Sequence, residues 1–296
     1  MKQLLVLSGK GGTGKTTVAS ALIKLSNARA FADCDVDAPN LHFVIGMKNE
    51  PERNDYFGLP KAKIDMEKCI ACGTCISVCR FDAISEIDGI FSVDNFACEG
   101  CGVCGIKCAA NAVSLHLDVA GERMLYKDKD RLFSTARLKM GSGTSGKLVS
   151  AVKKQLREEV QDDVEFSIVD GSPGIGCPVI ASMSGADIVL IVAEPSVSGI
   201  NDMKRILETA ETFWTKSVVC INKYDINVKM TELIEEYCHI KKIPLIGKIP
   251  FDKQAVIAVN EGSSVVDFDC ISGNAIRRIY DRIVCLYLKS KGEIAE

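Results

Sequence analysis

Gly9-Lys10-Gly11-Gly12-Thr13-Gly14-Lys15-Thr16 is the stretch from which the fold can be read. It meets the phosphate-loop pattern G-x-x-x-x-G-K-[ST] at every fixed position. Gln3 to Leu7 precede it as a short apolar run, which reads as a buried strand, and Thr17 to Leu25 follow with helical apolar spacing. Strand, loop and helix are the context the pattern requires. Glycines let the backbone curl so that several N–H groups face one anion, and the helix N-terminus adds partial positive charge. Lys15 is then expected at the β- and γ-phosphates and the Thr16 hydroxyl on Mg²⁺, with Gly9 to Thr17 as the phosphate-binding set.

The rest of the chain supports a large α/β domain. Its 296 residues can bury a sizeable core, and a net charge of −3 gives no general attraction to nucleic acid. A start at Met1 directly into a strand is expected to leave no signal peptide, and no apolar run reaches the roughly 20 residues of a membrane span. A cytoplasmic protein is expected. Fourteen cysteines in a cytosolic chain argue for metal binding over disulfides, because cytosolic thiols stay reduced.

Arg29 to Cys34 reads as a second strand, running into Asp33, Asp35 and Asp37. Alternating carboxylates at a strand end repel unless a cation or proton intervenes, which suits a Mg²⁺-nucleotide site; an acidic surface turn is the plain alternative. Phe166 to Asp170 is an apolar strand ending in a carboxylate, followed by Gly171-Ser172-Pro173-Gly174. Asp170 is expected to hold Mg²⁺ directly or through water, and the turn after it to sense the γ-phosphate. Further strands are expected at Leu132 to Lys139, Asp187 to Ala193, Ser217 to Ile221 and Leu245 to Ile249, and helices at Lys147 to Val160 and Asn201 to Trp214. Met47 to Lys63 reads as a polar linker, Gly121 to Arg131 as a charged stretch and Gly141 to Gly146 as a flexible loop or helix cap.

The cysteines fall in a repeat. Cys69-x2-Cys72-x2-Cys75-x3-Cys79 recurs 29 residues later as Cys98-x2-Cys101-x2-Cys104-x3-Cys108, with Gly73, Ala83 and Ile84 aligned on Gly102, Ala112 and Val113. This resembles the ligand pattern of bacterial two-cluster ferredoxins, which implies two [4Fe-4S] clusters with crossed ligation. Cluster one would take Cys69, Cys72, Cys75 and Cys108, and cluster two Cys98, Cys101, Cys104 and Cys79. Arg80 and Ala109 stand where those ferredoxins have proline. Zinc is the competing reading, disfavoured because zinc ligands usually come as two separated pairs and the chain has only three histidines.

With Lys10 inside the loop, the signature G-K-G-G-x-G-K-[ST] resembles the MinD, ParA and nitrogenase iron protein superfamily of ATPases. The resemblance implies several roles. Lys10 reaches a partner's nucleotide across a dimer interface, and Asp35 positions the attacking water. Asn222, in Asn222-Lys223-Tyr224-Asp225, contacts adenine, with the stretch Pro250-Phe251-Asp252 near the purine; taken alone, N-K-x-D reads guanine, so ATP is favoured over GTP on resemblance. Ser145 to Val149 matches a Ser-Gly-Lys-Leu-Val stretch of resembling ATPases that carry an inserted ferredoxin. Cys177 matches a cluster-binding cysteine of the nitrogenase iron protein, although a free buried cysteine is the plainer reading; Cys34, Cys220, Cys238, Cys270 and Cys285 are expected in the core. The last segment, Gly273 to Lys289, is amphipathic and suits a helix packed on the sheet as well as the membrane-binding helix that ends MinD.

The expected fold is α/β, a mostly parallel doubly wound sheet with an inserted small α+β ferredoxin-like domain. Residues 1–60 and 114–296 would form the ATPase domain and 61–113 the insert. The expected activity is hydrolysis of ATP to ADP with Mg²⁺, coupled through two clusters to electron transfer to an unidentified redox partner protein. A cluster carrier and a MinD/ParA-like positioning ATPase are the alternatives. A dimer is expected, with itself or with a paralogue, and neither nucleic acid nor membrane as partner.

Overall fold

Apolar runs and amphipathic stretches alternate along the chain, and each folds locally as its period demands. A computed structural model describes residues 1–47 and 49–288. In order come β1 (Lys2–Leu7), α1 (Lys15–Leu25), β2 (Ala30–Asp33), α2 (Leu41–Ile45), β3 (Glu52–Phe57), β4 (Lys61–Ile64) and α3 (Thr74–Ser77). Next are β5 (Ile84–Ile87), β6 (Ile90–Val93), α4 (Val103–Ile106), β7 (Val113–His116), β8 (Val119–Asp128) and β9 (Arg131–Leu138). The remainder is α5 (Ser145–Glu159), β10 (Phe166–Asp170), α6 (Cys177–Met183), β11 (Ile188–Ala193), α7 (Val197–Thr212), β12 (Lys216–Asn222), α8 (Val228–Ile240), β13 (Leu245–Ile249), α9 (Lys253–Asn260) and α10 (Ile271–Ile283).

Two units are distinguished, Met1–Glu52 with Met124–Ala136 and Gly146–Glu296, and Arg53–Arg123 with Arg137–Ser145. In the first, the strands lie in the order β13, β12, β11, β1, β10, β2, β9, β8. From β13 to β9 every pairing is parallel, with Leu5 opposite Val169 on one side and Val189 on the other. Parallel strands covered on both faces read as continuous apolar runs, and all six residues of β11 are buried. The expected mostly parallel α/β sheet is therefore present.

One expectation gives way here. Met47–Lys63 is not a linker throughout, since it contains β3 and β4; β3 is exposed along most of its length and so carries no apolar alternation to betray it. The charged stretch Gly121–Arg131 lies largely in β8, where Arg53 pairs with Glu122 at 3.0 Å. At the C-terminal end, Ile276, Ile279 and Ile283 of α10 are buried in the core, which favours packing on the sheet over a free amphipathic helix. A looser helical turn, Val284–Leu288, follows, and Lys289, where the expected helix ended, lies outside the described residues with Lys48 and 290–296.

The second unit is larger than the 61–113 segment read from the cysteines. Its repeat appears as strand, one-turn helix, strand, taken twice: β4, α3, β5 and β6, α4, β7. β4 pairs antiparallel with β7 and β5 with β6. Gly73 and Gly102 precede the two short helices with φ of 72° and 76°, a backbone region that L side chains rarely adopt. That is why both repeats keep glycine there.

Candidate functional site

The site forms where β1, β2 and β10 end together. Asp170, fully buried, receives the Lys15 ammonium on one carboxylate oxygen and the Thr16 hydroxyl on the other, the latter at 2.7 Å. Burial pulls the Lys15 pKa down, but the charges of Asp170, Asp33 and Asp35 outweigh it and hold the ammonium above its ordinary value. Lys15 thus stays protonated. The loop geometry depends on Gly14, at φ 90°, where a Cβ would strike the Asn222 amide. That amide donates to the Thr13 carbonyl at 2.7 Å, and Lys223 donates to the Gly12 carbonyl at 3.0 Å.

Asp33 has a role the sequence did not disclose. Its carboxylate accepts the backbone N–H groups of Asp35, Asn40 and Leu41 at 2.9–3.0 Å and so shapes the turn that carries Asp35. Burial, with the Asp170 charge adding, pushes the Asp33 carboxyl up to about 7. Asp35 is half-buried, and burial raises its pKa as well. Ser172, in the turn after β10, donates its hydroxyl to the Cys34 carbonyl, tying that turn to the end of β2. Lys10 lies at the edge of the site and pairs with Glu194 at 2.8 Å within its own chain.

Beside the loop is a cleft of about 240 Å³, lined by Gly12, Gly14, Thr17, Asn222, Pro250 and Phe251 among others. The sequence-predicted purine residues are thereby brought together with the phosphate loop. Asp225, which would read guanine in N-K-x-D, accepts the Phe251 backbone N–H at 2.8 Å. It is a loop brace here. Asp252 caps α9 by accepting the Gln254 N–H and also takes the Ser272 hydroxyl at 2.9 Å, so it fixes one wall of the cleft. Asp252 ends the expected purine stretch Pro250-Phe251-Asp252, and only its contact with Ser272, 20 residues away, had no local signal.

The chain also matches the model for the CobQ/CobB/MinD/ParA nucleotide binding domain over residues 4–265. It belongs to that family. It is 31% identical over 237 residues to an uncharacterized protein of Methanocaldococcus jannaschii, MJ0578, covering 76% of this chain and 79% of the relative. With the uncharacterized ATP-binding protein MJ0547 of the same organism, identity is 24% over 290 residues, covering 95% and 87%. Among solved structures, the septum site-determining protein MinD with Mg-ADP from Pyrococcus horikoshii OT3 superposes with a TM-score of 0.59 at 16% identity, covering 98% of this chain and 99% of that one. The likeness is one of fold. As a MinD/ParA-type family member the protein is a P-loop ATPase.

In the second unit, Cys69, Cys72, Cys75 and Cys108 line one small cavity together with Ile64, Ile70, Ala112 and Val113. Cys98 and Cys104 are buried in the same small core as Cys79, while Cys101 is exposed. Among the described residues no three His, Cys, Asp or Glu side chains stand close enough to share one metal ion. A mononuclear site of the zinc type needs its donors about 2.0–2.3 Å from one ion. A four-iron cube instead offers each thiolate its own iron. The donor set, four thiols with mostly apolar neighbours and Thr74 beside Cys72, is of the kind such a group takes.

Two cysteine expectations are corrected. Cys177 is exposed, not buried, because it opens α6 beyond the sheet, and Cys285 is exposed in the last helical turn. Cys34, Cys220, Cys238 and Cys270 are buried as expected. One buried cation has no sequence signal: Lys153 of α5 donates to the carbonyls of Ser182 and Ser184 at the end of α6, the second at 2.6 Å. Burial pulls its pKa down to about 8.

Proposed function

We propose that the protein is an ATP-driven switch of the MinD/ParA type, which binds Mg²⁺-ATP along Gly9–Thr17 and in the Asn222–Phe251 cleft and works as a dimer with itself or with a paralogue. The observation that carries this reading is the meeting of Thr16 and Lys15 on Asp170. The Thr16 hydroxyl donates to the Asp170 carboxylate at 2.7 Å, and these two oxygens would hold Mg²⁺ when it is bound. Lys15 supplies the charge for the β- and γ-phosphates, and Asp35, carried on the turn that Asp33 braces, orients the attacking water. Lys10 exchanges its Glu194 partner for the nucleotide of the second subunit. Adenine is favoured over guanine because Asp225 is engaged with the Phe251 backbone.

The second unit, on this reading, is a ferredoxin-like insert, with residues 61–113 as its cluster-binding part. A second, finer reading is favoured by the cavity that Cys69, Cys72, Cys75 and Cys108 line. There the insert holds two [4Fe-4S] clusters, cluster two on Cys98, Cys101, Cys104 and Cys79, which supply one-electron chemistry when bound. The nucleotide state would then govern electron delivery to a partner protein.

Anaerobic turnover of Mg²⁺-ATP and Mg²⁺-GTP, with sedimentation in each nucleotide state, tests the first reading. Expected are ATP hydrolysis lost in Lys15→Ala and a shift to dimer with ATP. Turnover unaffected by Lys15→Ala sinks it. Iron and sulfide analysis after reconstitution tests the second, which fails if Cys75→Ser and Cys104→Ser leave the iron content unchanged.

A further inference from the structure

The register of the sheet sets a carboxylate between two lysines at the edge of the nucleotide site. β11 lies between β1 and β12, with Leu7 opposite Ile191 and Ala193 opposite Ile221. Carried three residues past the first pair, the register brings Lys10 opposite Glu194; carried one residue past the second, it brings Glu194 opposite Asn222, next to Lys223. Neighbouring strands lie about 4.8 Å apart, within reach of long side chains. The contacts follow that placement. Glu194 takes the Lys10 ammonium on one carboxylate oxygen at 2.8 Å and faces that of Lys223 with the other at 3.7 Å. Lys223 also donates to the Gly12 carbonyl at 3.0 Å, and Lys10 to the hydroxyls of Ser196 and Ser198 at 3.3 and 3.5 Å. Asp202 packs its side chain on Gly9 but forms no ion pair with Lys10 among the described residues. Glu194 is itself fixed, since its carbonyl accepts the Ser196 N–H at 2.8 Å and a Cβ at Gly199 would strike that carbonyl.

We propose that Glu194 is a positioning residue that keeps Lys10 within its own chain and thereby sets how readily two ATP-loaded chains pair. The inference rests on the reading above, in which Lys10 serves the nucleotide of the second subunit. A lysine gripped by a carboxylate and two hydroxyls is not free to cross. Only chains in which the contact is open are competent to pair, and the apparent affinity of pairing falls by that fraction. With side chains 38% and 23% exposed, the pair belongs with the weak ion pairs, and it shifts an equilibrium by about two- to fivefold. That is enough to bias Lys10 and little enough to be exchanged. When Lys10 leaves, Glu194 still faces the Lys223 ammonium, so its charge is not stranded. Two identical chains each open one such contact, and the factor enters twice.

Sedimentation of the full-length protein with Mg²⁺ and a non-hydrolysable ATP analogue, both saturating, tests this, because changes in nucleotide affinity then drop out. Glu194→Gln should lower the dimer dissociation constant by about 4- to 25-fold, the square of the factor for one contact. Glu194→Asp, charged but one methylene shorter, should fall between that variant and the wild type. In a Lys10→Met background Glu194→Gln should change nothing, because no ammonium remains to be released. Equal tightening in that background overturns the proposal, since removal of charge alone then explains it. An unchanged constant in Glu194→Gln overturns it too, as does a weaker dimer, which would make Glu194 part of the interface; both leave the ATPase reading standing. A wild type that hydrolyses ATP as a monomer overturns this inference and keeps the nucleotide site. A wild type that neither hydrolyses ATP nor pairs overturns both.

Discussion

Asp170→Asn probes the centre of the nucleotide site with the smallest change of shape. The wild-type carboxylate is fully buried and accepts from two donors, the Lys15 ammonium and the Thr16 hydroxyl. An asparagine oxygen can serve one of them, and its NH₂ faces the other donor. Losing a hydrogen bond to a charged group costs about 1.5–3 kcal/mol, and breaking a buried ion pair about 3–5 kcal/mol. Lys15 keeps the field of Asp33 and Asp35, so the lower part of that span applies, about 2–4 kcal/mol. At roughly 2–4 °C per kcal/mol for a domain of this size, the nucleotide-free melting temperature should fall by about 4–16 °C. Calorimetry without nucleotide, with ATP and EDTA, and with ATP and Mg²⁺ separates the two roles of the carboxylate. The variant should lose the extra stabilisation that Mg²⁺ confers over ATP alone, together with turnover. An equal or higher melting temperature in the nucleotide-free variant refutes the reasoning. It would mean that repulsion from Asp33 and Asp35 exceeds what Lys15 and Thr16 return.

Three further outcomes are expected. Asp33 titrates near 7 in the folded protein against about 3.9 unfolded, so the folded state holds the extra proton between these values. Its contribution to stability is full below about pH 4 and is lost as pH rises through 7, by up to a few kcal/mol at about 1.4 kcal/mol per unit. Urea unfolding of the nucleotide-free protein from pH 5 to 8 should show that decline, and a curve no flatter in Asp33→Asn counts against it. Gly14→Ala places a methyl at φ 90° against the Asn222 amide, and fluorescent ATP titration should show binding weakened at least tenfold; wild-type affinity would mean that the loop relaxes freely. Asn222→Ala removes the hydrogen bond to Thr13, worth about 0.5–1.5 kcal/mol, and should raise the ATP dissociation constant about 2- to 10-fold while narrowing the preference over GTP. An unchanged preference would detach Asn222 from the base.

What the sequence disclosed was what is local. Gly9 to Thr16 and the eight repeated cysteines are read within a few residues of one another, because each motif binds its group through adjacent backbone or thiol donors. Asp170 was legible as a carboxylate at the end of an apolar strand. The bracing role of Asp33 and the Asp252–Ser272 contact were opaque, since each depends on donors that the fold brings in. β3 escaped notice because an exposed strand has no apolar face to alternate. Cys177 was misjudged because cysteine is usually buried, and only the position of α6 reveals its exposure.

Lys153 has a mechanical meaning. α6 begins three residues after Gly174, in the turn expected to respond to the γ-phosphate, and it ends on two carbonyls gripped by the Lys153 ammonium of α5. Near its other end Gly146 of α5 lies against Cys177 so closely that a Cβ there would press on the α6 backbone. Pinned at both ends, the two helices are a single lever. A shift at the nucleotide turn that moves α6 would therefore have to carry α5 with it or break the Lys153 contacts.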